Sequence, residues 1–305
     1  MHTLTYCSNL SMGVKMDLSK KTIRSKHPCS SGFRWFLKHT PQGADYQYLI
    51  DTLLAEGRVT DALWLVDQFG SVRDKQAIDS LDSDAVVAAR DLDIAGNLHS
   101  DTVLRVAGAL HVRGSVRVGG DIHIQGDLLI EGNLSCGGAI VVEGSVRVGW
   151  GIDVAGKFRC DGDARAGWSL ECANSIEVGG IIVAGQDIIC ADALDSKKSV
   201  RAGGDITVEN NLTATEGVIA KGEISSGMHI KADWGIQAGG NITAKGSIMA
   251  GESIVAAADV RCGNGYGVFA GTRVMREFWP DNAIVRAAHR PEQLQSGHWT
   301  EPQYA

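Results

Sequence analysis

Residues 120–131 read Gly-Asp-Ile-His-Ile-Gln-Gly-Asp-Leu-Leu-Ile-Glu, and this six-residue pattern decides the fold. An aliphatic residue returns at every sixth position from Leu92 to Val260, and among these 29 positions only Phe158 and Ala164 are not Leu, Ile or Val. A second, smaller apolar residue commonly stands two places later. Glycine and then Asp, Asn or Ser often precede the aliphatic residue, so the unit is Gly-(Asp/Asn/Ser)-Ile-x-Val-x.

This unit describes one short strand and one corner. Residues two apart on a strand point to the same face, so the Ile and Val positions point inward and the x positions outward. Glycine and Asp/Asn are expected to supply the positive φ of a corner. Three hexads close a triangular coil of 18 residues, and stacked coils share a continuous core. The pattern therefore predicts an all-β solenoid of about ten coils.

The unit at residues 126–131 and 240–245 resembles the repeat of the bactofilins, bacterial polymer-forming β-helix proteins. The resemblance covers about residues 90–270. It implies a right-handed triangular β-helix and a cytoskeletal polymer. Left-handed hexapeptide helices, typical of acyltransferases, resemble Ile-Gly-x-x-Ala-x instead, whereas the residue after the aliphatic position varies here.

The flanking sequence divides the chain into four predicted segments. These are a poorly patterned basic segment at 1–28, an α-helical module and linker at 29–85, the β-helix at 86–272 and a capping tail at 273–305. The module's helices are expected at 31–39, 45–55 and 59–69, with Gly57 and Gly70 ending the last two. The apolar stripe of Trp64, Leu65 and Phe69 is expected to pack on a neighbouring helix rather than bind a partner. The patterned sequence begins at Met16, so translation could start there or at Met12.

Composition narrows the function classes. No apolar run reaches the roughly 18–20 residues of a membrane helix, and no secretory signal is visible. The seven cysteines therefore favour a reducing, cytoplasmic location with free thiols. The net charge is −7, although residues 1–43 carry seven Lys/Arg and one acidic residue. The acidic rod has no basic stripe with interleaved aromatics, so nucleic-acid binding is disfavoured.

The 18-residue period brings one group of exposed residues together. Trp150 and Trp168 should stack at one corner, and Arg147, Arg165 and Arg201 should share one outward column. Exposed tryptophan with arginine is the composition of an interface hot spot. We predict that these five residues bind a protein partner, unless the chain's own helical module or tail covers them. Trp234 falls at a different corner.

The Cys, His and Asp residues that could bind a metal or catalyse a reaction do not form a known motif. The cysteines at 136, 172, 190 and 262 share one small inward column, Cys160 lies inward at another corner, and no Cys-x-x-Cys pair suggests a metal. They are expected to be buried apolar residues. His111 and His123 lie outward in different columns without motif partners. Asp153, Asp161 and Asp163 could supply the carboxylates of a lyase or hydrolase. However, the coils lack the loops that would build a cleft.

The sequence thus predicts a protein that is not an enzyme and that uses no cofactor or metal. The leading hypothesis is a protein-binding rod such as an adaptor, inhibitor or toxin-immunity protein. The alternative is a bactofilin-like polymer, which includes homo-oligomers. A carbohydrate-active or acyl-transfer enzyme is the third hypothesis.

Overall fold

The computed structural model describes residues 16–301. Met12 and the first part of the basic segment expected at 1–28 lie outside the described residues. The chain forms an N-terminal helical module followed by a parallel β-solenoid. The predicted fold class is confirmed.

The helical module contains four helices. They are α1 (Lys20–Ser25), α2 (Ser30–His39), α3 (Tyr46–Ala55) and α4 (Val59–Phe69). Two short antiparallel strands, Asp17–Leu18 and Ala44–Asp45, tie its start to the α2–α3 connection. Gly57 and Gly70 follow α3 and α4 with φ of +69° and +66°, the left-handed conformation typical of a helix end. The three expected helices are confirmed, and α1 adds a fourth that the sequence pattern did not reveal.

The solenoid has three strand-bearing faces. The first face is a 13-stranded parallel sheet, with strands Lys75–Ile78, Asp91–Ile94, Leu110–Val112, Leu128–Ile130, Val146–Val148, Ala164–Ala166, Ile182–Ala184, Val200–Ala202, Val218–Ala220, Ile236–Ala238, Ile254–Ala256, Ile284–Arg286 and His298–Thr300.

The second and third faces begin with two long strands, Leu81–Ala88 and Leu98–Val106, which turn the corner between them. The second face continues with Val116–Val118, Leu134–Cys136, Ile152–Val154, Leu170–Cys172, Ile188–Cys190, Ile206–Val208, Ile224–Ser226, Ile242–Ala244 and Val260–Arg261. The third continues with Asp121–Ile124, Ile140–Val142, Phe158–Cys160, Ile176–Val178, Leu194–Ser196, Leu212–Ala214, Ile230–Ala232, Ile248–Ala250, Val268–Phe269 and Leu294–Ser296.

The hexad pattern produces these faces directly. In a representative strand, Ile122 and Ile124 are buried and His123 between them is not. Leu128 pairs with Val146, one coil of 18 residues further along the chain. The inward residues of all coils form one continuous hydrophobic core. Since burying one large aliphatic side chain contributes roughly 1.5–3 kcal/mol, this stacked core is the main stabilising feature of the rod.

The corners work differently from the expectation. In the described chain the hexad glycines do not adopt positive φ, so the predicted conformational reason was wrong. A Cβ at Gly120 would lie 1.9 Å from the carbonyl oxygen of Thr102 in the preceding coil. Glycine is therefore needed because stacked corners approach so closely. The corner carboxylates and amides serve as acceptors: Asp127 Oδ1 accepts a hydrogen bond of 2.7 Å from the N–H of Ser145 in the next coil.

The rod is longer than the regular hexads indicate. Its first strand begins at Lys75, and the expected boundary at residue 86 falls inside the strand Leu81–Ala88. The predicted tail also joins the sheet, since Ile284–Arg286 pairs with Ile254–Ala256 and His298–Thr300 pairs with Ile284–Arg286. The first face therefore has 13 strands rather than the predicted ten or so. Between these strands the tail forms a 3-10 turn, Arg276–Phe278, and a short helix, Trp279–Asn282.

The helical module packs against the side of the first coils. Its buried cluster includes Val87, Ala89 and Ala107 of the solenoid. The Gln47 side chain accepts a hydrogen bond of 2.9 Å from the N–H of Ala89 and donates one of 3.4 Å to the carbonyl of Val87. The Gln47 amide therefore pairs with the backbone of the strand edge as a neighbouring strand would. These two hydrogen bonds define the orientation of the module on the rod.

Candidate functional site: a tryptophan–arginine patch

Trp150 and Trp168 occupy the same corner on consecutive coils. The N–H of Trp168 donates a hydrogen bond of 3.1 Å to the carbonyl of Trp150, which places one corner directly above the other. The two residues are 60% and 57% exposed, as the 18-residue spacing predicted. Two large apolar rings therefore stand in solvent on a rigid support.

The arginines lie on the adjoining first face. Arg147 and Arg165 are direct neighbours in register on adjacent strands. Like charges in this position repel each other. Arg165 Nη2 lies 3.2 Å from Asp163 Oδ2, whereas Arg147 has no ion pair within residues 16–301. Val183 separates Arg165 from Arg201, so Arg201 is two coils away from Arg165. The patch thus carries positive charge that the described chain only partly neutralises.

Three apolar residues of the same outward column were missed. Leu129 precedes Arg147 and is 37% exposed, Ile219 follows Arg201 and is also 37% exposed, and Val183 stands between the arginines. The column therefore mixes apolar and basic side chains down the first face, with Arg147 and Arg165 adjacent. The 18-residue spacing that located the arginines would also have found these residues. We call the set Leu129, Arg147, Trp150, Arg165, Trp168, Val183, Arg201 and Ile219 the Trp–Arg patch.

Nothing in residues 16–301 covers this patch. The helical module packs on residues 85–89 and 105–107, and the tail strands join the far end of the rod. The possibility that the chain shields its own patch was therefore wrong for these parts of the protein. Trp234 is 50% exposed but lies at another corner, as predicted.

The interior cysteines follow the predicted columns with one exception. Cys262 was expected to be buried, but it is only partly buried and lies just after the last strand of the second face. Cys136, Cys172 and Cys190 are buried on the second face, and Cys160 is buried on the third. Each thiol also donates to a corner carbonyl of the preceding coil, as Cys136 Sγ does to Gly120 O at 3.1 Å. Burial raises the pKa of Cys136, Cys160 and Cys190 to about 11. These thiols are protonated near neutral pH and are structural.

The polar candidates do not converge. His111 lies 3.4 Å from both Asp93 and Glu131, while His123 lies 3.3 Å from Glu143. Asp163 accepts a backbone hydrogen bond of 3.0 Å from Ile181, and this bond is the main reason that its pKa is lowered.

Asp161 pairs with Arg159 at 3.2 Å, and Asp153 stands beside Glu171 on the second face. Within residues 16–301, groups of three or more His, Cys, Asp or Glu side chains suited to holding a metal ion are absent. The described outward polar residues instead make ion pairs and hydrogen bonds within a coil or between neighbouring coils.

Comparison with known proteins adds one match. Residues 16–71 match a family model described as the YdhT N-terminal domain. This range includes the whole helical module and ends before the first solenoid strand. No curated protein and no solved structure matches the chain. In addition, none of the helices in the described residues is long and apolar enough to span a membrane.

Proposed function

We propose that this protein is a non-catalytic, protein-binding solenoid, such as an adaptor, an inhibitor or a toxin-immunity protein. The observation that carries the proposal is the pair of exposed tryptophans stacked beside arginines on consecutive coils. Tryptophan and arginine are the residues most enriched in interface hot spots. A rigid sheet also holds them in place before binding, which lowers the entropic cost of association.

The charges indicate the partner's chemistry. The repulsion between Arg147 and Arg165 is relieved when carboxylates approach the first face. Leu129 and the two indoles offer apolar area around this charge. The partner surface we propose is acidic, with apolar side chains that pack on Trp150 and Trp168.

The test is affinity capture with quantitative cross-linking in matched variants. Trp150→Ala combined with Trp168→Ala should abolish recovery of the partner while the thermal unfolding curve stays unchanged. Trp234→Ala removes a ring of similar exposure from another corner and should leave binding intact. Arg147→Glu combined with Arg165→Glu should also abolish binding, since it repels an acidic partner. Equal recovery with all variants would overturn the proposal.

A second candidate function is a bactofilin-like structural polymer. One observation favours it: Lys75–Ile78 and His298–Thr300 each pair with a single strand among the described residues. An open strand edge is a template for pairing with another chain. Sedimentation velocity and negative-stain microscopy on the full chain distinguish the two functions. Filaments that lengthen with concentration would support the polymer, and discrete particles would support the binding rod.

A further inference from the structure

The helical module contains a cavity, open to solvent on one side, that is separate from the Trp–Arg patch. Its volume is about 160 Å³, and all four helices contribute to its wall. Most of the lining is apolar and includes Ile23, Trp35, Phe36, Leu53, Trp64 and Leu65. Every lining residue lies within the range 16–71 that matches the family model. The cavity is therefore a feature of the module rather than of the rod.

One end of the cavity is polar. Cys29 Sγ and Asp61 Oδ1 meet there at 3.8 Å. Arg58 Nε donates a hydrogen bond of 2.7 Å to the other carboxylate oxygen, Asp61 Oδ2. The Asp61 side chain is 24% exposed. Arg58 thus fixes the carboxylate, while within residues 16–301 Oδ1 is engaged only by a weak and distant thiol donor.

Gly32 keeps this polar end open. A Cβ at residue 32 would lie 3.1 Å from Asp61 Oδ1 and 3.2 Å from Cys29 Sγ. The N–H of Gly32 donates a hydrogen bond to Cys29 Sγ at 3.2 Å. Hydrogen bonds from Ser31 and then Gly32 lower the pKa of the Cys29 thiol. Arg58 contacts Oδ2 of Asp61, so Oδ1 is the carboxylate oxygen that remains at the cavity as a hydrogen-bond acceptor.

Size and charge together select a ligand. An apolar cavity of about 150 Å³ holds one benzene molecule, so this cavity accommodates a single six-membered ring. Asp61 Oδ1 is an ionised acceptor with unused lone pairs, which suits an ammonium donor better than a carboxylate, which has no hydrogen to donate. We propose that the helical module binds a small primary amine carrying one aromatic ring, with the ring among Trp35, Leu53 and Trp64 and the ammonium group on Asp61 Oδ1.

The experiment uses the full-length protein and 2-phenylethylamine, followed by isothermal titration calorimetry. A ligand of this size should bind with a Kd of about 1 mM or tighter. The matched ligands are 2-phenylethanol, which lacks the charge, and 3-phenylpropionate, which reverses it. We expect weaker binding of the alcohol and no binding of the carboxylate.

Two variants and one control test where the ligand binds. Asp61→Asn should weaken amine binding by about 10-fold, because a charge-assisted hydrogen bond becomes a neutral one. Asp79→Asn, an exposed carboxylate on the rod, should leave binding unchanged. Gly32→Ala should also weaken binding, since its methyl group enters the polar end; a thermal unfolding curve checks that each variant folds.

Alkylation of Cys29 gives an independent readout. In a Cys7→Ser background, bound amine should slow the reaction of Cys29 with iodoacetamide. Three outcomes overturn the proposal: no heat and no protection at saturating amine, equal binding of the amine and the carboxylate, or unchanged binding in Asp61→Asn. Equal binding of amine and alcohol would indicate an apolar site, such as one for a partner's side chain, in place of the amine site. Neither readout involves Trp150 or Trp168, so failure here is distinguishable from failure of the protein-binding function.

Discussion

Arg105 of the solenoid and Asp67 of helix α4 form an ion pair of 2.8 Å that joins the helical module to the rod. The Arg105 side chain is only 6% exposed, whereas that of Asp67 is 56% exposed. The Nη1 atom of Arg105 is buried and has no hydrogen-bond partner in the described chain. Asp67 is therefore the main counter-charge for a largely buried guanidinium group.

The first prediction concerns this pair. Asp67→Asn should lower the free energy of unfolding by about 1–3 kcal/mol, because it leaves a buried arginine without its counter-charge. Adding Arg105→Met should recover part of that loss, since the buried charge is then absent as well. Urea unfolding of the single and double variants measures both effects. A single Asp67→Asn variant as stable as the wild type would contradict the prediction.

The second prediction concerns the corner glycines. Gly120→Ala should destabilise the rod by roughly 1–3 kcal/mol or more, since overpacking forces the backbone apart. Gly151→Ala is the matched control, because its Cβ would lie 3.6 Å from Asn133 Oδ1, an ordinary contact. It should change the unfolding free energy little. Similar losses in both variants, measured by thermal unfolding, would show that backbone conformation rather than close approach decides these positions.

The third prediction concerns the thiols. In a Cys7→Ser background, a disulfide reagent should modify Cys29 first, because it is exposed and hydrogen bonds lower its pKa. The rate should rise with pH to a midpoint below the ordinary value of 9.0. Cys136, Cys160 and Cys190, with pKa values of about 11, should react only on unfolding. Cys29→Ser should remove the fast phase, and a fast phase that persists would disprove the assignment.

The fourth prediction concerns pH and His123. This residue adjoins Arg105 beneath the module, with Glu143 and Asp67 as the nearby acidic groups. Desolvation, and then the charge of Arg105, holds the pKa of His123 below its ordinary value of 6.5. The unfolded chain therefore takes up a proton near pH 6.5 that the folded chain does not yet bind, and stability falls as pH drops from 6.5 towards the folded pKa.

Melting temperatures measured from neutral pH down to about pH 5.5 test this linkage. His123→Gln has no titrating ring and should lose this part of the acid sensitivity. His298→Gln, at the far end of the rod, should keep it. An unchanged pH profile in His123→Gln would show that other groups control acid stability.

Both parts of the fold were predictable where a local period is strong. The hexads between Leu92 and Val260 specify inward and outward residues one by one, so the core, the cysteine columns and the stacking of Trp150 on Trp168 followed from counting. Helices α2 to α4 were likewise marked by their apolar periods and by Gly57 and Gly70. The strands at 75–88 and 284–300 were missed, because these coils depart from the hexad spacing and form only by pairing with regular coils beside them.

The sequence by itself determined the solenoid, the identity of its inward residues and the column that holds the arginines, because each depends on a repeat between neighbours in the chain. Tertiary structure alone decided three features that depend on contacts between separate segments. These are the steric role of the corner glycines, the docking of Gln47 and Asp67 on the rod, and the cavity where Cys29 lies beside Asp61. Close approach, desolvation and cavity shape depend on how separate elements pack in space, and no local period records them.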